Sequence, residues 1–128
     1  MKLIIGGAYQ GKREYAMKKY DLTDDVIADG GAVSWDISGD IRCIDNFHIL
    51  IKRLTEAGED TAEFTRRIIK EHPDIIIIST EIGSGIVPIE KADRRWRENT
   101  GKSCCLIAAA SETVIRVTCG METIIKGK

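Results

Sequence analysis

A glycine-rich stretch near the start of the chain has the spacing of a phosphate-binding loop. Gly6-Gly7-Ala8-Tyr9-Gln10-Gly11-Lys12 fits G-x-x-x-x-G-K and lies between an apolar run and a helical pattern. In such a loop, backbone N–H groups and the helix N-terminus hold a β-phosphate, and the lysine reaches the β- and γ-phosphates. The usual next residue is Ser or Thr, whose hydroxyl ligates Mg²⁺, but here it is Arg13. Because the pattern is short, a strand-to-helix turn without a ligand is an equally good interpretation.

A second candidate for phosphate chemistry is Asp45, which ends the apolar stretch of residues 41–45. An aspartate at the carboxyl end of a neighbouring strand is placed as in a Walker B element, where it would help to hold Mg²⁺. Asp45 or the adjacent Asn46 could instead cap the helix that follows, since both residue types accept hydrogen bonds from a first helical turn. On the sequence alone, the cap is the slightly better supported interpretation.

Apolar runs alternate with helical patterns along the chain. Strands are predicted over residues 3–5, 25–28, 41–44, 75–78 and 113–118, and helices over residues 12–20, 46–57, 60–71, 88–98 and 102–111. The four isoleucines of residues 75–78 are typical of a strand covered on both faces, as in parallel sheets. The predicted fold class is therefore α/β, with a mostly parallel sheet between two layers of helices. Residues 30–40, which contain three glycines, are predicted to form a mobile loop.

The composition is that of an ordinary globular protein and argues against several function classes. The 128 residues fit one domain, and 19 basic against 20 acidic residues give a net charge of −1. This balance does not favour nucleic acid or an acidic membrane as a partner. Because the sequence has neither an apolar stretch of membrane-spanning length nor a signal-peptide pattern, a cytoplasmic protein is expected. The four cysteines lack the spacing of a zinc site.

The stretch after the isoleucine run is the most specific feature of the chain. Residues 79–88 read Ser-Thr-Glu-Ile-Gly-Ser-Gly-Ile-Val-Pro. They resemble the pattern (S/T)-x-E-V-G-x-G-I-V-P of the adenosylcobinamide kinase and adenosylcobinamide-phosphate guanylyltransferase family of cobalamin biosynthesis. The similarity continues at Ala92, Arg94, Arg95, Trp96, Arg97, Gly101, Ala108, Ala109, Ala110, residues 114–120 and Lys126. The family's opening G-G-A-R-S-G-K-S is similar to residues 6–13, and its D-C-L-T segment to residues 45–48.

The resemblance implies a single P-loop domain over residues 1–128, a RecA-like three-layer sandwich. It implies a kinase that uses GTP or ATP, with Mg²⁺, to phosphorylate the aminopropanol hydroxyl of a small corrinoid. Lys12 would contact the phosphates, Asp45 the metal ion and Glu81 the substrate side, with residues 83–85 bordering the site. The nucleotide would lie on Gly6, Gly7, Ala8, Tyr9, Gln10, Gly11, Lys12 and Arg13. Family members commonly form trimers, so a homotrimer is the assembly that the resemblance implies.

The chain departs from the family at several functional positions. The family carries GMP on a histidine between its second strand and the D-C-L-T segment, whereas residues 30–42 contain no histidine here. His48 and His72 lie elsewhere and are predicted to be ordinary surface or packing residues. Tyr9 and Gln10 replace the Arg and Ser of the family loop, and Arg13 replaces its final hydroxyl residue. A weak or unusual Mg²⁺ site is therefore expected, held by Asp45, waters and the nucleotide itself. The family's Asn-Gln pair on the late helix is replaced by two cysteines at 104 and 105.

These observations support two hypotheses about function. The first is a shortened kinase that lacks the guanylyltransferase step, and the second is a nucleotide-binding or regulatory relative that has lost catalysis. Trp96 is predicted to pack inward from a helix whose arginines are solvated or paired with acidic neighbours such as Glu90. For Trp35, stacking on a ligand and anchoring of the loop remain equal alternatives.

Overall fold

The structure is a computed structural model that describes residues 1–82 and 91–127. The expected loop at 83–85, the first residues of the helix predicted from 88, and Glu90 lie outside the described residues. The strands are β1 (Lys2–Gly6), β2 (Ile27–Asp29), β3 (Cys43–Asp45), β4 (Ile76–Thr80), β5 (Thr113–Thr118) and β6 (Met121–Lys126). The helices are α1 (Lys12–Tyr20), α2 (Phe47–Glu56), α3 (Thr61–Glu71) and α4 (Lys91–Ala110), with a short 3₁₀ helix at Asp24–Val26.

The six strands form one sheet in the order β2-β3-β4-β1-β5-β6. The first five are mutually parallel, and only β6 pairs antiparallel, with β5. β4 lies in the interior of the sheet, and Ile76, Ile77 and Ile78 are each at most 4 % exposed. Ile77 packs into the hydrophobic cluster on one face and its two neighbours into the cluster on the other. The prediction of a parallel strand covered on both faces is therefore confirmed.

Helices cover both faces of the sheet. On one face α2, α3 and α4 contribute the buried side chains Leu50, Phe64 and Ile107. On the other face α1 packs through Ala16. The α/β class and the mostly parallel sheet predicted from the sequence are confirmed. None of the described helices is long and apolar enough to cross a membrane.

Two predictions about the C-terminal part of the chain are wrong. The separate helices expected at 88–98 and 102–111 are, within the described residues, one helix, α4. Gly101 lies in its middle on an exposed face, where a glycine costs only about 1 kcal/mol, and tertiary contacts compensate for this cost. One such contact is the hydrogen bond from Asn99 Nδ2 to Thr55 Oγ1 at 3.0 Å. The second error is the omission of β6, whose residues are all exposed and therefore lack the burial pattern that predicts a strand.

Candidate nucleotide site

The glycine loop connects β1 to α1 and requires glycine at two positions. A Cβ atom on Gly6 would lie 2.4 Å from the backbone oxygen of Val117, so a side chain cannot fit there. Gly11 precedes the first residue of α1 with a left-handed φ of 85°, a conformation that glycine adopts without strain. Gln10 fixes the loop to the turn between β5 and β6. Its side-chain oxygen accepts from the N–H of Cys119 at 2.7 Å, and its carbonyl accepts from Gly120 at 2.8 Å.

Lys12 is the first residue of α1, and its side chain points back along the loop. It is 8 % exposed, and its Nζ donates to the carbonyl of Gly7 at 2.6 Å. Burial lowers the pKa of Lys12, while the charges of Asp45, Glu81 and Glu14 oppose this shift. The ammonium group is thus held inside the loop by the carbonyl of Gly7.

Arg13 forms ion pairs with two carboxylates. Its guanidinium donates to Asp24 Oδ1 at 2.7 Å and to Asp45 Oδ2 at 3.3 Å. Burial acts to lower the pKa of Arg13, but the hydrogen bonds to Asp24 and Asp45 outweigh it and raise the pKa. The residue that replaces the usual hydroxyl therefore carries a permanent positive charge to the very carboxylate predicted to hold the metal ion.

Asp45 ends β3 at the carboxyl edge of the sheet and does not cap α2 with its side chain. Its Oδ1 accepts from the N–H of Asn46 at 2.8 Å, and its Oδ2 faces Arg13. Asn46 occupies the N-cap position, but its side chain makes no capping hydrogen bond and donates instead to Asp29 Oδ1. The interpretation of either residue as a side-chain cap is wrong. The register of β2 and β3, which pairs Asp29 with Asp45, explains why Asn46 reaches a carboxylate rather than its own helix.

A cleft of about 360 Å³ opens where these groups meet. It is lined by residues 8–14, 45–46 and 48–49 and by Thr80. These residues follow the carboxyl ends of β1, β3 and β4, the edge at which open parallel sheets bind their ligands. The structure therefore brings together Lys12, Arg13 and Asp45, three of the residues predicted from the sequence.

His48 is a residue of this cleft that the sequence did not predict. It is 9 % exposed, its Nδ1 accepts from the N–H of Thr80 at 3.2 Å, and its ring stacks on Trp96. Burial lowers the pKa of His48, the charge of Lys12 lowers it further, and Asp45 opposes them. The interpretation as a packing residue explains the contact with Trp96 but not the position in the cleft. The missed signal is its spacing, three residues after Asp45 and hence within the first turn of α2.

Glu81 lies beside the start of the loop, on the side of β5. Its backbone N–H donates to the carbonyl of Gly6 at 2.9 Å. Its Oε1 accepts from Arg116, at 2.7 Å from NH2 and 3.1 Å from Nε. Within residues 1–82 and 91–127, Glu81 does not line the cleft described above, although its charge acts on Lys12. The candidate site thus has one side at Lys12 and a separate flank at Glu81.

The two tryptophans support the site from outside. Trp96 packs against the core, as predicted, and its Nε1 donates to the carbonyl of His48 at 2.7 Å. Trp35 packs against the same core, and the guanidinium of Arg53 lies 4.8 Å from its ring centre. Arg53 also donates to the carbonyls of Gly30 and Val33, so this arginine and Trp35 hold the loop of residues 30–40. Of the two alternatives for Trp35, the structure shows the anchor.

Comparison with protein-family models matches residues 40–125 to cobinamide kinase / cobinamide phosphate guanyltransferase. The match spans about two thirds of the chain and includes Asp45, His48 and Glu81. The chain belongs to this family. A search of curated proteins found no match. In this member of the cobinamide kinase / guanyltransferase family, the glycine loop lies before the matched residues. The interpretation of the loop as a phosphate-binding loop therefore depends on its sequence pattern and on the geometry around Lys12.

The described residues do not offer Mg²⁺ the ligands expected of this family. No group of three or more His, Cys, Asp or Glu side chains among residues 1–82 and 91–127 is arranged to hold a metal ion. Arg13 has no oxygen to offer, and both oxygens of Asp45 already accept hydrogen bonds. Magnesium prefers octahedral oxygen coordination, and here its one candidate carboxylate is paired with a guanidinium. The site as folded does not fit a magnesium ion.

Proposed function

We propose that this chain binds GTP or ATP on the glycine loop and is an adenosylcobinamide kinase-like protein of cobalamin biosynthesis or corrinoid salvage. The observation that carries the proposal is the cleft in which the buried ammonium of Lys12 meets Asp45 and His48 at the N-terminus of α1. A helix N-terminus, a buried lysine and glycine-permitted backbone are the parts from which P-loops bind phosphate. The proposal includes a RecA-like P-loop fold over residues 1–128, a cytoplasmic location and, by resemblance, a homotrimer.

In the proposed reaction, the protein mainly positions the reactants and stabilises charge. The substrate hydroxyl oxygen forms a bond to the γ-phosphorus, the bond to the β–γ bridging oxygen breaks, and the nucleoside diphosphate leaves. The ammonium of Lys12 would exchange the carbonyl of Gly7 for phosphate oxygens and offset the charge on them. We assign Glu81 to the substrate side, where Arg116 fixes its carboxylate and where it could accept the hydroxyl proton.

We propose that the guanylyltransferase step is absent. Residues 30–42 contain no histidine to carry GMP. His48 does not replace it, because its Nδ1 accepts the N–H of Thr80, which leaves the proton of the neutral ring on Nε2. A protonated Nε2 donates a hydrogen bond but has no lone pair with which to attack a phosphorus atom.

A second candidate function is nucleotide binding without turnover, as in a regulatory relative. The ion pair between Arg13 and Asp45 favours it, because this pair occupies the carboxylate that the family pattern reserves for the metal. Binding and turnover measured on the same preparation separate the two candidates.

The test is a kinase assay with adenosylcobinamide and γ-labelled ATP or GTP, run on the wild type, Lys12→Ala and Lys19→Ala. Lys19 is an exposed lysine of the same helix and serves as the matched control. We expect transfer to the corrinoid to fall about 100-fold or more in Lys12→Ala and to be unchanged in Lys19→Ala. Nucleotide binding without corrinoid phosphorylation would favour the second candidate. A stable GMP–protein adduct after incubation with GTP would contradict the loss of the guanylyltransferase step.

A further inference from the structure

We propose that the guanidinium of Arg13 takes the place of the magnesium ion, so that this site binds the phosphates of a nucleoside di- or triphosphate without a divalent cation. The inference rests on the proposed nucleotide binding at the same cleft and goes further by specifying the form of the ligand that is bound. That ligand is the free nucleotide rather than its magnesium complex.

The first argument is the geometry of Arg13. It stands in the first turn of α1, where the loop pattern expects a metal-binding hydroxyl, and it lines the cleft. Its NH1 donates to Asp45 and its NH2 donates to Asp24. These two hydrogen bonds orient the plane of the guanidinium beside the glycine loop. Since a guanidinium has five N–H donors, the remaining ones can reach phosphate oxygens while both carboxylates stay in place.

The second argument is independent and comes from His48. The residue is 9 % exposed, and no group within residues 1–82 and 91–127 forms a hydrogen bond with its Nε2 atom. His48 lines the cleft beside Lys12. With Nδ1 accepting from Thr80, the neutral ring carries its proton on Nε2 and can donate it to an acceptor in the cleft. A phosphate oxygen in the cleft supplies that acceptor, and no metal ion is needed for this contact.

The third argument concerns the carboxylate that a metal ion would need. Mg²⁺ would have to share Asp45 with the guanidinium of Arg13, which cannot lose its charge. Even then, Oδ1 of Asp45 would remain bonded to the N–H of Asn46 at 2.8 Å. A divalent cation beside an arginine and a lysine would also meet two positive charges. Mg²⁺ would therefore find few favourable ligands in this cleft, and it would compete with the donors of the protein for the phosphate oxygens.

The experiment is isothermal titration calorimetry of ATP and of GTP, once in EDTA and once in excess Mg²⁺. We expect the wild-type dissociation constant in EDTA to equal that in Mg²⁺ within about threefold, or to be lower. Arg13→Ser restores the hydroxyl of the family loop, and in it we expect binding in EDTA to fall at least about tenfold, with Mg²⁺ restoring part of the loss. Arg66→Ser removes an exposed arginine of α3 and is the control for net charge.

Each outcome has a distinct meaning. Wild-type binding that requires Mg²⁺ would overturn the inference and leave the proposed nucleotide binding intact. Absence of binding in both conditions would refute the proposed function, and the inference with it. Asp45→Asn provides a second readout if Arg13→Ser fails to fold: its effect on the affinity should be the same in EDTA and in Mg²⁺. A loss confined to the Mg²⁺ titration would show that Asp45 holds a metal ion and would overturn the inference.

Discussion

Arg13 forms two ion pairs, and we predict that the longer one is the stronger. The pair with Asp24 has an N–O distance of 2.7 Å and the pair with Asp45 one of 3.3 Å. The side chain of Asp24 is 83 % exposed, whereas that of Asp45 is 14 % exposed. Water and salt screen an exposed pair, which typically contributes about 0.2–1 kcal/mol. For Asp45, where less solvent competes, we expect a coupling of about 1–2 kcal/mol with Arg13, itself partly exposed.

The assay is a pair of double-mutant cycles measured by urea denaturation. The variants are Arg13→Ser, Asp45→Asn, Asp24→Asn and the two double variants that contain Arg13→Ser. Each coupling is the change in unfolding free energy of the double variant minus the sum of the changes in its single variants. Repeating the cycles at about 0.5 M salt should reduce the coupling to Asp24 more than the coupling to Asp45.

The result bears directly on the site, because the coupling between Arg13 and Asp45 opposes release of Asp45 to a cation. A coupling to Asp24 equal to or larger than that to Asp45 would refute the reasoning from burial. Asp45 would then be weakly held, and a metal ion could take it from Arg13 at little cost.

Two further predictions test the loop and the histidine. Gly6→Ala should destabilise the fold by about 2–3 kcal/mol in urea denaturation, because its Cβ would lie 2.4 Å from a backbone oxygen of β5. Gly39→Ala, with open space around it, should change stability by no more than about 0.5 kcal/mol, and equal effects would contradict the argument. Because burial lowers the pKa of His48, the folded protein favours the neutral ring. The free energy of unfolding should therefore rise with pH up to about 6.5, the usual pKa of a histidine in an unfolded chain. His48→Asn keeps an acceptor for the N–H of Thr80 and should flatten that rise. If the slope of unfolding free energy against pH is unchanged in this variant, other groups cause the rise.

The core of the fold could be predicted because burial leaves a pattern in the sequence. The isoleucines of β4 are buried on both faces, and the helix before Pro73 ends at Glu71, one residue before the position that proline restricts. β6 left no such pattern, because none of its residues is buried and its pairing with β5 is through the backbone. The break expected near Gly101 did not occur, because the contacts of α4 with α2 and α3 outweigh a local preference.

The site was partly predictable for the same reason. The spacing of the glycines and the position of Asp45 at a strand end are local signals, and Gly11, Lys12 and Asp45 all line the cleft. The contacts of Arg13 with Asp45 and of His48 with Thr80 are not local, since each pair lies 32 positions apart in the chain. Parallel pairing of β3 with β4 places His48 beside the N–H of Thr80, and no pattern around His48 encodes that neighbour.

The proposed replacement of a metal ion by Arg13 would have different consequences for binding and for transfer. Arg13 brings one positive charge where Mg²⁺ would bring two. It is in direct contact with the carboxylates of Asp24 and Asp45. Its charge also lowers the pKa of Asp29, after the larger effects of the N–H of Gly31 and of Asn46. Ground-state binding needs donors that fit phosphate oxygens, and in the proposed complex Lys12, His48 and the remaining N–H groups of Arg13 would provide them. Phosphoryl transfer also needs charge stabilisation that grows in the transition state, so the smaller positive charge should lower the rate of transfer more than the affinity. A member of the family with this cleft should therefore retain affinity for the nucleotide more completely than turnover.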